Sequence, residues 1–272
     1  LALKTALFPF HFWLPPAHAS APAPVSALLS ALVVKASFYI LLRLCLTFFA
    51  PFTNGIDTLL GLLGAIAVVW GSIQALRQTR LKLLVAYSTV AQIGYLFLAF
   101  PLAGTAAVSA WSAAAYLLLS HALAKSAMFL AAGNLLHFGG HDRIADLDRV
   151  VQRLPLTAGA FALAGVSIMG LPPSGGFIGK WLLLETALLQ GRWDLVAVIL
   201  LGGLLAAAYV FKVLGHALTE GADMHEPRTV PKIMEWSALL LAIAAVLLGF
   251  LAVPVLAWFG VSEVFGISGA GP

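Results

Sequence analysis

Long apolar stretches with almost no charge restrict this chain to a membrane environment. Stretches of about 20 residues, the length that a spanning helix needs, occur at roughly 22–45, 55–76, 83–101, 105–136, 155–190, 193–218 and 232–259, and a partial stretch ends near Pro9. Only 10% of the 272 residues are charged and 61% are hydrophobic, whereas soluble domains carry about 25% charged residues. We therefore predict an all-α, polytopic transmembrane helix bundle of about seven spans.

Lysine and arginine are distributed unevenly between the predicted loops. Eight of them lie in three alternate loops, and two lie in the loops between. Because cytoplasmic loops are enriched in Lys and Arg, we predict that the first set is cytoplasmic and that the C-terminal tail lies outside. This assignment requires the 155–190 stretch to cross the membrane once. The cytoplasmic set is Arg77, Arg80, Lys82, Arg143, Arg149, Arg153, Arg228 and Lys232, and the opposite set is Arg43 and Arg192.

The remaining five basic residues are all lysines within or beside predicted spans, namely Lys4, Lys35, Lys125, Lys180 and Lys212. A desolvated lysine can lose its proton, whereas arginine effectively cannot, so this set is suited to accepting and passing protons. Lys35 lies roughly 16 Å along its helix beyond Pro24, near the bilayer midplane, where snorkelling is difficult.

A histidine and a lysine share one face of the 105–136 helix. His121 and Lys125 are separated by four residues within SHALAKSAMF, and residues at i and i+4 lie on the same side of a helix. Deep in an apolar helix, the two side chains form a pair of adjacent proton carriers. The alternative is a pair that is simply satisfied within the core.

Two proline- and glycine-rich segments, near 8–24 and 170–177, interrupt predicted helices. The first contains five prolines, and the second reads GLPPSGGF. Broken helices at membrane depth line polar cavities or are buried in protein, and they often mark ion sites. Lys4 precedes the first break and Lys180 follows the second, a reversal typical of an inverted repeat.

Four further residues are weaker candidates for the same pathway. Lys212 lies near a cytoplasmic helix end, where snorkelling explains it equally well. Glu185 is the only clear acid inside a span; it either pairs with a lysine near an exit or faces the outer interface. His11 and His18 lie in the first break, where they either extend the relay or satisfy polar backbone groups.

Other classes of site lack the residues that they require. A single cysteine, Cys45, excludes an internal disulfide framework and a cysteine-based iron–sulfur site. His137 and His141 have the spacing of a metal pair, but the glycines between them argue against a helix there. We therefore expect no metal, no cofactor, no catalytic residue and no redox chemistry on this chain. The basic residues are not clustered, so nucleic-acid binding is not indicated.

Four long motifs carry a family resemblance. The segments KTALFPFHFWLPPAHASAPAPVSALLSALVVKASFYIL, LRQTRLKLLVAYSTVAQIGYLFLAF, SHALAKSAMFLAAGNL and GLPPSGGFIGKWLLLETAL closely resemble the antiporter-like membrane subunits of respiratory complex I. The same pattern occurs in the large subunits of Mrp-type cation/proton antiporters and in the membrane subunits of membrane-bound hydrogenase and formate hydrogenlyase complexes. The resemblance covers nearly the whole chain, and the motifs occur in the same order.

The resemblance implies a fold of about fourteen helices with two inverted repeats and two broken helices. This chain would form a single transmembrane domain over residues 1–272, the C-terminal part of a longer subunit. The family's key lysine of the first broken helix falls on Lys4 and that of the next helix on Lys35. The His/Lys motif falls on His121 and Lys125, and the lysine of the second broken helix falls on Lys180.

The resemblance also implies a function. We expect proton translocation through a lysine/histidine relay at mid-membrane depth, in a subunit of a proton-translocating oxidoreductase of NADH:quinone or hydrogenase type. The expected partners are the lipid bilayer, other membrane subunits, and protons or Na⁺, in a bacterial-type inner membrane. Two alternatives remain open: an Mrp-type Na⁺/H⁺ antiporter subunit, and a non-conducting structural subunit.

Overall fold

The computed structural model describes residues 1–49, 53–147, 150–219 and 228–259, and these form a helical bundle without β-strands. Arg149 and the tail after residue 259, both used in the orientation argument, lie outside the described residues. In chain order the α-helices are α1 (Ala2–Thr5), α2 (Leu14–Ser20), α3 (Ala23–Leu28), α4 (Val34–Thr47), α5 (Thr53–Arg77), α6 (Leu81–Phe97), α7 (Ala99–Gly139), α8 (Val150–Arg153), α9 (Pro155–Met169), α10 (Gly175–Leu189), α11 (Trp193–Leu218), α12 (Lys232–Leu247) and α13 (Ala252–Phe259).

Five described helices are long and apolar enough to cross a membrane, which confirms the corresponding stretches in the sequence. They are Ala23–Thr47, Gly55–Arg77, Leu81–Gly104, Ala106–Gly139 and Trp193–Leu218. The first of these combines α3 and α4, which are joined by a single π-helical turn at Leu29–Val33. The two shorter helices α9 and α10, each of 15 residues, occupy the interrupted 155–190 stretch.

The apolar stretch at 232–259 does not form one straight helix. Helices α12 and α13 meet at a bend of 87°. Gly249 lies in this bend against the backbone of Pro173, where an added Cβ would lie 2.0 Å from the Pro173 oxygen. Pro254 follows in the first turn of α13. Proline is tolerated there because the first backbone N–H groups of a helix have no helical acceptor. The chain therefore changes direction where it meets the second break.

At the second helix break, a glycine ends α9 and a serine caps the start of α10. Helix α9 ends at Gly170, which has a left-handed φ of 82°, a conformation that glycine adopts without strain. Ser174 then caps α10, and its side-chain oxygen accepts a hydrogen bond from the Phe177 amide at 3.2 Å. The break leaves the last carbonyl groups of α9 without helical donors.

Helix α6 lies at the centre of the bundle. Of its span, 89% is buried, compared with 39% for each of the spans formed by α5 and α11. Small residues allow α5 and α6 to approach closely: a Cβ added at Gly94 would lie 2.5 Å from the Gly64 oxygen, and one at Gly71 would lie 2.7 Å from the Ala91 nitrogen. Polar groups on α6 must therefore find their partners within the protein.

We predict that Gly94→Ala lowers the stability of the intact protein. The added methyl group would overlap the backbone of α5, and overpacking of this kind costs about 1–3 kcal/mol. Gly159→Ala is the matched control, since Gly159 lies within α9 and its added Cβ meets nothing within 4 Å. Thermal unfolding in detergent should show a lower Tm for the first variant and an equal or higher Tm for the second. Equal Tm values for Gly94→Ala and wild type would contradict the packing described.

Candidate functional site

Three lysines from different helices converge around α6. Their side chains are almost completely buried: Lys35 is 3% exposed, Lys125 is 0% and Lys180 is 6%. Each amine donates a hydrogen bond to a backbone carbonyl, which offsets part of the cost of leaving water. The acceptors are the oxygens of Ser30, Val85 and Ile168, respectively.

The acceptor for Lys35 belongs to the π-helical turn that joins α3 to α4. In this turn the Val34 amide bonds to the Leu29 oxygen, five residues earlier, and turns of this kind occur frequently at functional sites. The Ser30 oxygen lies within the same turn and accepts from the Lys35 amine. The irregular backbone therefore holds the amine inside the bundle.

A chain of hydroxyl and carbonyl groups joins this turn to Lys125. The side-chain oxygens of Ser30 and Thr89 lie 3.2 Å apart, within hydrogen-bond distance. The Thr89 hydroxyl donates to the Val85 oxygen at 3.1 Å, and Lys125 donates to the same oxygen at 3.1 Å. Polar contacts on α6 thus connect Lys125 with Ser30, the residue whose backbone oxygen accepts from Lys35.

Lys180 lies against the C-terminal end of α9. Its amine donates to the oxygens of Ile168 at 2.7 Å and Met169 at 3.3 Å, carbonyls that the break has freed. The amine also lies 4.4 Å from the ring centre of Tyr95, a cation–π distance. Gly170 makes this approach feasible, since an added Cβ would lie 2.6 Å from the lysine stem.

Two histidines are buried beside the lysines. His121 is 4% exposed and lies close enough to interact electrostatically with Lys35, Lys125 and Lys180. His18, in the first break, is fully buried and stacks on Phe129 with ring centres 4.3 Å apart. Within the described residues, neither ring has a hydrogen-bond partner at either nitrogen, so both rings retain a free donor and acceptor.

Comparisons with known proteins identify the family of this chain. Residues 1–206 match the family described as NADH:quinone oxidoreductase/Mrp antiporter, transmembrane region. The chain belongs to this family. The match confirms the resemblance and the antiporter-like helical fold.

The chain is similar to relatives of two kinds, NADH-quinone oxidoreductase subunits and a Na(+)/H(+) antiporter subunit. NADH-quinone oxidoreductase subunit N of Desulforudis audaxviator is 40% identical over 224 residues, covering 81% of this chain and 44% of the relative. A Na(+)/H(+) antiporter subunit of Bacillus subtilis is 28% identical over 226 residues, covering 83% and 45%. The chain therefore spans about half the length of these relatives.

Two solved structures show the same fold. A chain of the Mrp complex from Dietzia sp. DQ12-45-1b superposes with a TM-score of 0.88 at 23% identity, covering 98% of this chain and 58% of that one. A chain of respiratory complex I from Thermus thermophilus superposes with a TM-score of 0.74 at 30% identity, covering 94% and 56%.

Lys82 is buried, although the charge pattern of the sequence assigns it to a cytoplasmic loop. Lys82 is 2% exposed, lies in the first turn of α6, and donates to the Ala21 oxygen after α2. It also lies within electrostatic range of His18. Its proximity to Arg80 suggested a cytoplasmic loop, but its spacing of seven residues from Thr89 places both on one helix face.

The remaining predicted residues lie away from the three lysines. Lys4 and Glu185 are exposed, and His11 is partly buried with its ring stacked on Phe8. Lys212 is partly buried and donates to the oxygens of Leu76 at 2.8 Å and Gln78 at 2.7 Å. A positive charge at the end of α5 also complements the helix dipole.

The sequence indicates Glu185 as the only clear acid inside a span, but the structure exposes Glu185 and buries a different acid. Glu235, in the first turn of α12, is 1% exposed. Its carboxylate accepts from the Lys232 amine at 2.9 Å and from the Thr157 hydroxyl at 3.3 Å. Glu235 lies three residues after Lys232. Because the charge pattern assigns Lys232 to a loop, the sequence indicates a solvated carboxylate at Glu235 rather than a buried one.

We predict that Lys212→Ala destabilises the protein without reducing ion transport per folded molecule. The substitution removes two hydrogen bonds to the end of α5, at a cost of about 1 kcal/mol, whereas Lys212→Arg retains donors and should melt close to wild type. Thermal unfolding and transport in reconstituted liposomes would be measured on the same preparations. Lost transport with an unchanged Tm would instead assign Lys212 to the transport pathway.

Proposed function

We propose that this chain translocates protons through a relay of buried amines at mid-membrane depth. The observation that carries the proposal is the convergence of Lys35, Lys125 and Lys180 around α6, where hydroxyl and carbonyl groups connect the surroundings of Lys35 with Lys125. In the part of the chain that the structure describes, hydrogen bonds hold these amines without any carboxylate partner. A charge buried without a counter-ion is costly, which favours handing a proton on rather than retaining it.

Electrostatic repulsion supplies the coupling between positions. Two positive charges in a low-dielectric interior repel strongly, so protonation of one amine disfavours protonation of its neighbour. Lys125 lies within electrostatic range of both Lys35 and Lys180, and His121 lies within range of all three. A proton that enters at one end therefore promotes release at the other.

The direction of transfer is part of the proposal. Protons would be taken up from the cytoplasm and pass along Lys4, Lys35, His121/Lys125 and Lys180, then leave near Glu185. His11, His18 and Lys82 would assist uptake beside the first break. The chain would act as one transmembrane domain of a longer subunit in a bacterial-type inner membrane, within a complex I-like or related energy-converting assembly, with its C-terminus outside.

We predict that Lys125→Ala and Lys180→Ala abolish coupled proton transport while the assembly persists. Each substitution removes an amine that lies between the other carriers. Transport would be measured with a pH-sensitive dye in vesicles, and assembly would be followed by co-purification of the subunits. Lys212→Ala, measured per folded molecule, is the control. Full transport in both alanine variants would overturn the relay.

The Lys180→Arg variant distinguishes two roles of Lys180, a fixed positive charge and a group that transfers a proton. Arginine keeps the positive charge but effectively cannot release its proton. The relay therefore predicts loss of transport in an arginine variant that assembles normally. Retained transport would show that Lys180 acts only as a fixed charge.

A Na⁺/H⁺ antiporter subunit is the second candidate, favoured by the similarity to the Bacillus subtilis antiporter subunit. Sodium is commonly coordinated by carbonyl oxygens of broken helices, and α9 offers such oxygens beside Lys180. Sodium pulses applied to vesicles would produce pH changes if this candidate is correct. If neither sodium pulses nor lysine substitutions alter transport, the remaining alternative is a non-conducting structural subunit.

A further inference from the structure

A buried tyrosine hydroxyl lies beside two polar side chains of α6. Tyr209, in α11, is 0% exposed, and its hydroxyl makes no hydrogen bond of normal geometry with the described residues. It faces the side chains of Ser88 and Gln92 on α6. Buried hydroxyl groups are nearly always hydrogen-bonded, so this one requires an explanation.

Each neighbour of the Tyr209 hydroxyl is connected to a different lysine. Ser88 accepts a hydrogen bond from the Lys125 amine. Gln92 donates through Nε2 to the Ile168 oxygen at 3.2 Å, the same oxygen that accepts from Lys180 at 2.7 Å. The tyrosine hydroxyl therefore lies at the gap between the surroundings of the two amines.

The spacing on α6 produces this alignment. Ser88 and Gln92 are four residues apart and share one helix face, and Tyr95 lies three residues further along, with its ring beneath Lys180. Tyr95 differs from Tyr209 because its hydroxyl is satisfied, donating to the Ile199 oxygen at 3.2 Å. Since the Gln92 nitrogen is used by Ile168, its side-chain oxygen remains available as an acceptor.

We propose that the Tyr209 hydroxyl is the proton-transfer link between Lys125 and Lys180, an inference that rests on the proposed function. The Ser88 hydroxyl, which donates to the Val85 oxygen at 3.0 Å in the structure, first rotates toward Tyr209. The Lys125 ammonium then gives a proton to the Ser88 oxygen as Ser88 passes its own hydrogen to the Tyr209 oxygen. Tyr209 passes its hydrogen through one water molecule to the Lys180 amine. One N–H bond breaks at Lys125 and one forms at Lys180, while each hydroxyl and the water end with their original number of hydrogens.

Gln92 acts in this step as a positioning residue. Before the transfer, its free side-chain oxygen accepts from Tyr209 and keeps the tyrosine hydrogen away from Ser88; the hydrogen then leaves Gln92 for the water on the side of Lys180. Rotation of the Ser88 and Tyr209 hydroxyl groups then restores the starting arrangement. The link passes protons in the order of the relay without adding another charged residue to the membrane interior.

The test compares two tyrosine-to-phenylalanine variants, each of which lacks one hydroxyl group. The intact assembly would be reconstituted in liposomes, a potassium diffusion potential imposed, and the initial rate of the internal pH change measured. We expect Tyr209→Phe to slow transport more than about tenfold with a Tm close to that of wild type, because its hydroxyl makes no hydrogen bond of normal geometry in the structure. Tyr116→Phe, which removes the hydroxyl that donates to the Leu248 oxygen, should lower the Tm and retain transport.

A double substitution separates a shared link from a structural effect. If Ser88 and Tyr209 act in one step, Ser88→Ala combined with Tyr209→Phe should be no slower than the slower single variant. Multiplying losses with a reduced Tm would indicate a structural role and overturn the link. Normal transport in Tyr209→Phe while Lys125→Ala and Lys180→Ala remain inactive would overturn the link alone, whereas normal transport in all three would overturn the relay as well.

Discussion

Holding an amine inside an apolar bundle is the constraint on which the rest of this structure depends. A lysine at membrane depth needs hydrogen-bond acceptors, but regular helices use nearly all of their carbonyl groups internally. The structure supplies acceptors where the backbone is irregular: Ser30 in the π-helical turn receives Lys35, and the end of α9 receives Lys180. The helix breaks and the buried amines are therefore two parts of one arrangement.

Helix α6 connects these parts. Its close packing on α5 through glycines removes lipid and water from one side. On the other side, Ser88 accepts from Lys125, while Thr89 and Gln92 contact groups beside Lys35 and Lys180. Rigid packing fixes the positions of groups that must be within hydrogen-bond distance for proton transfer. The same helix thus combines a structural face with a polar face, and the polar face determines which amines are connected.

The sequence predicted the features that depend on local chemistry. Interruption by prolines and glycines indicated both helix breaks, and charge within apolar helices indicated Lys35, Lys125 and Lys180, which the structure brings together. It did not predict features that depend on tertiary partners. Lys82 resembled a loop residue because only packing against Ala21 shows that it is buried, and the link at Tyr209 requires α6 and α11 to be placed side by side. The bend after α12 likewise follows from its contact with the second break.

The most direct measurement of the central claim is a water-resolving cryo-electron microscopy map of the intact assembly in lipid. The account predicts ordered water and hydroxyl groups in unbroken steps of hydrogen-bond length from Lys35 through Lys125 to Lys180, with the Tyr209 hydroxyl in contact with that chain. Three amines in separate dry pockets, or facing lipid with no polar path between them, would contradict it.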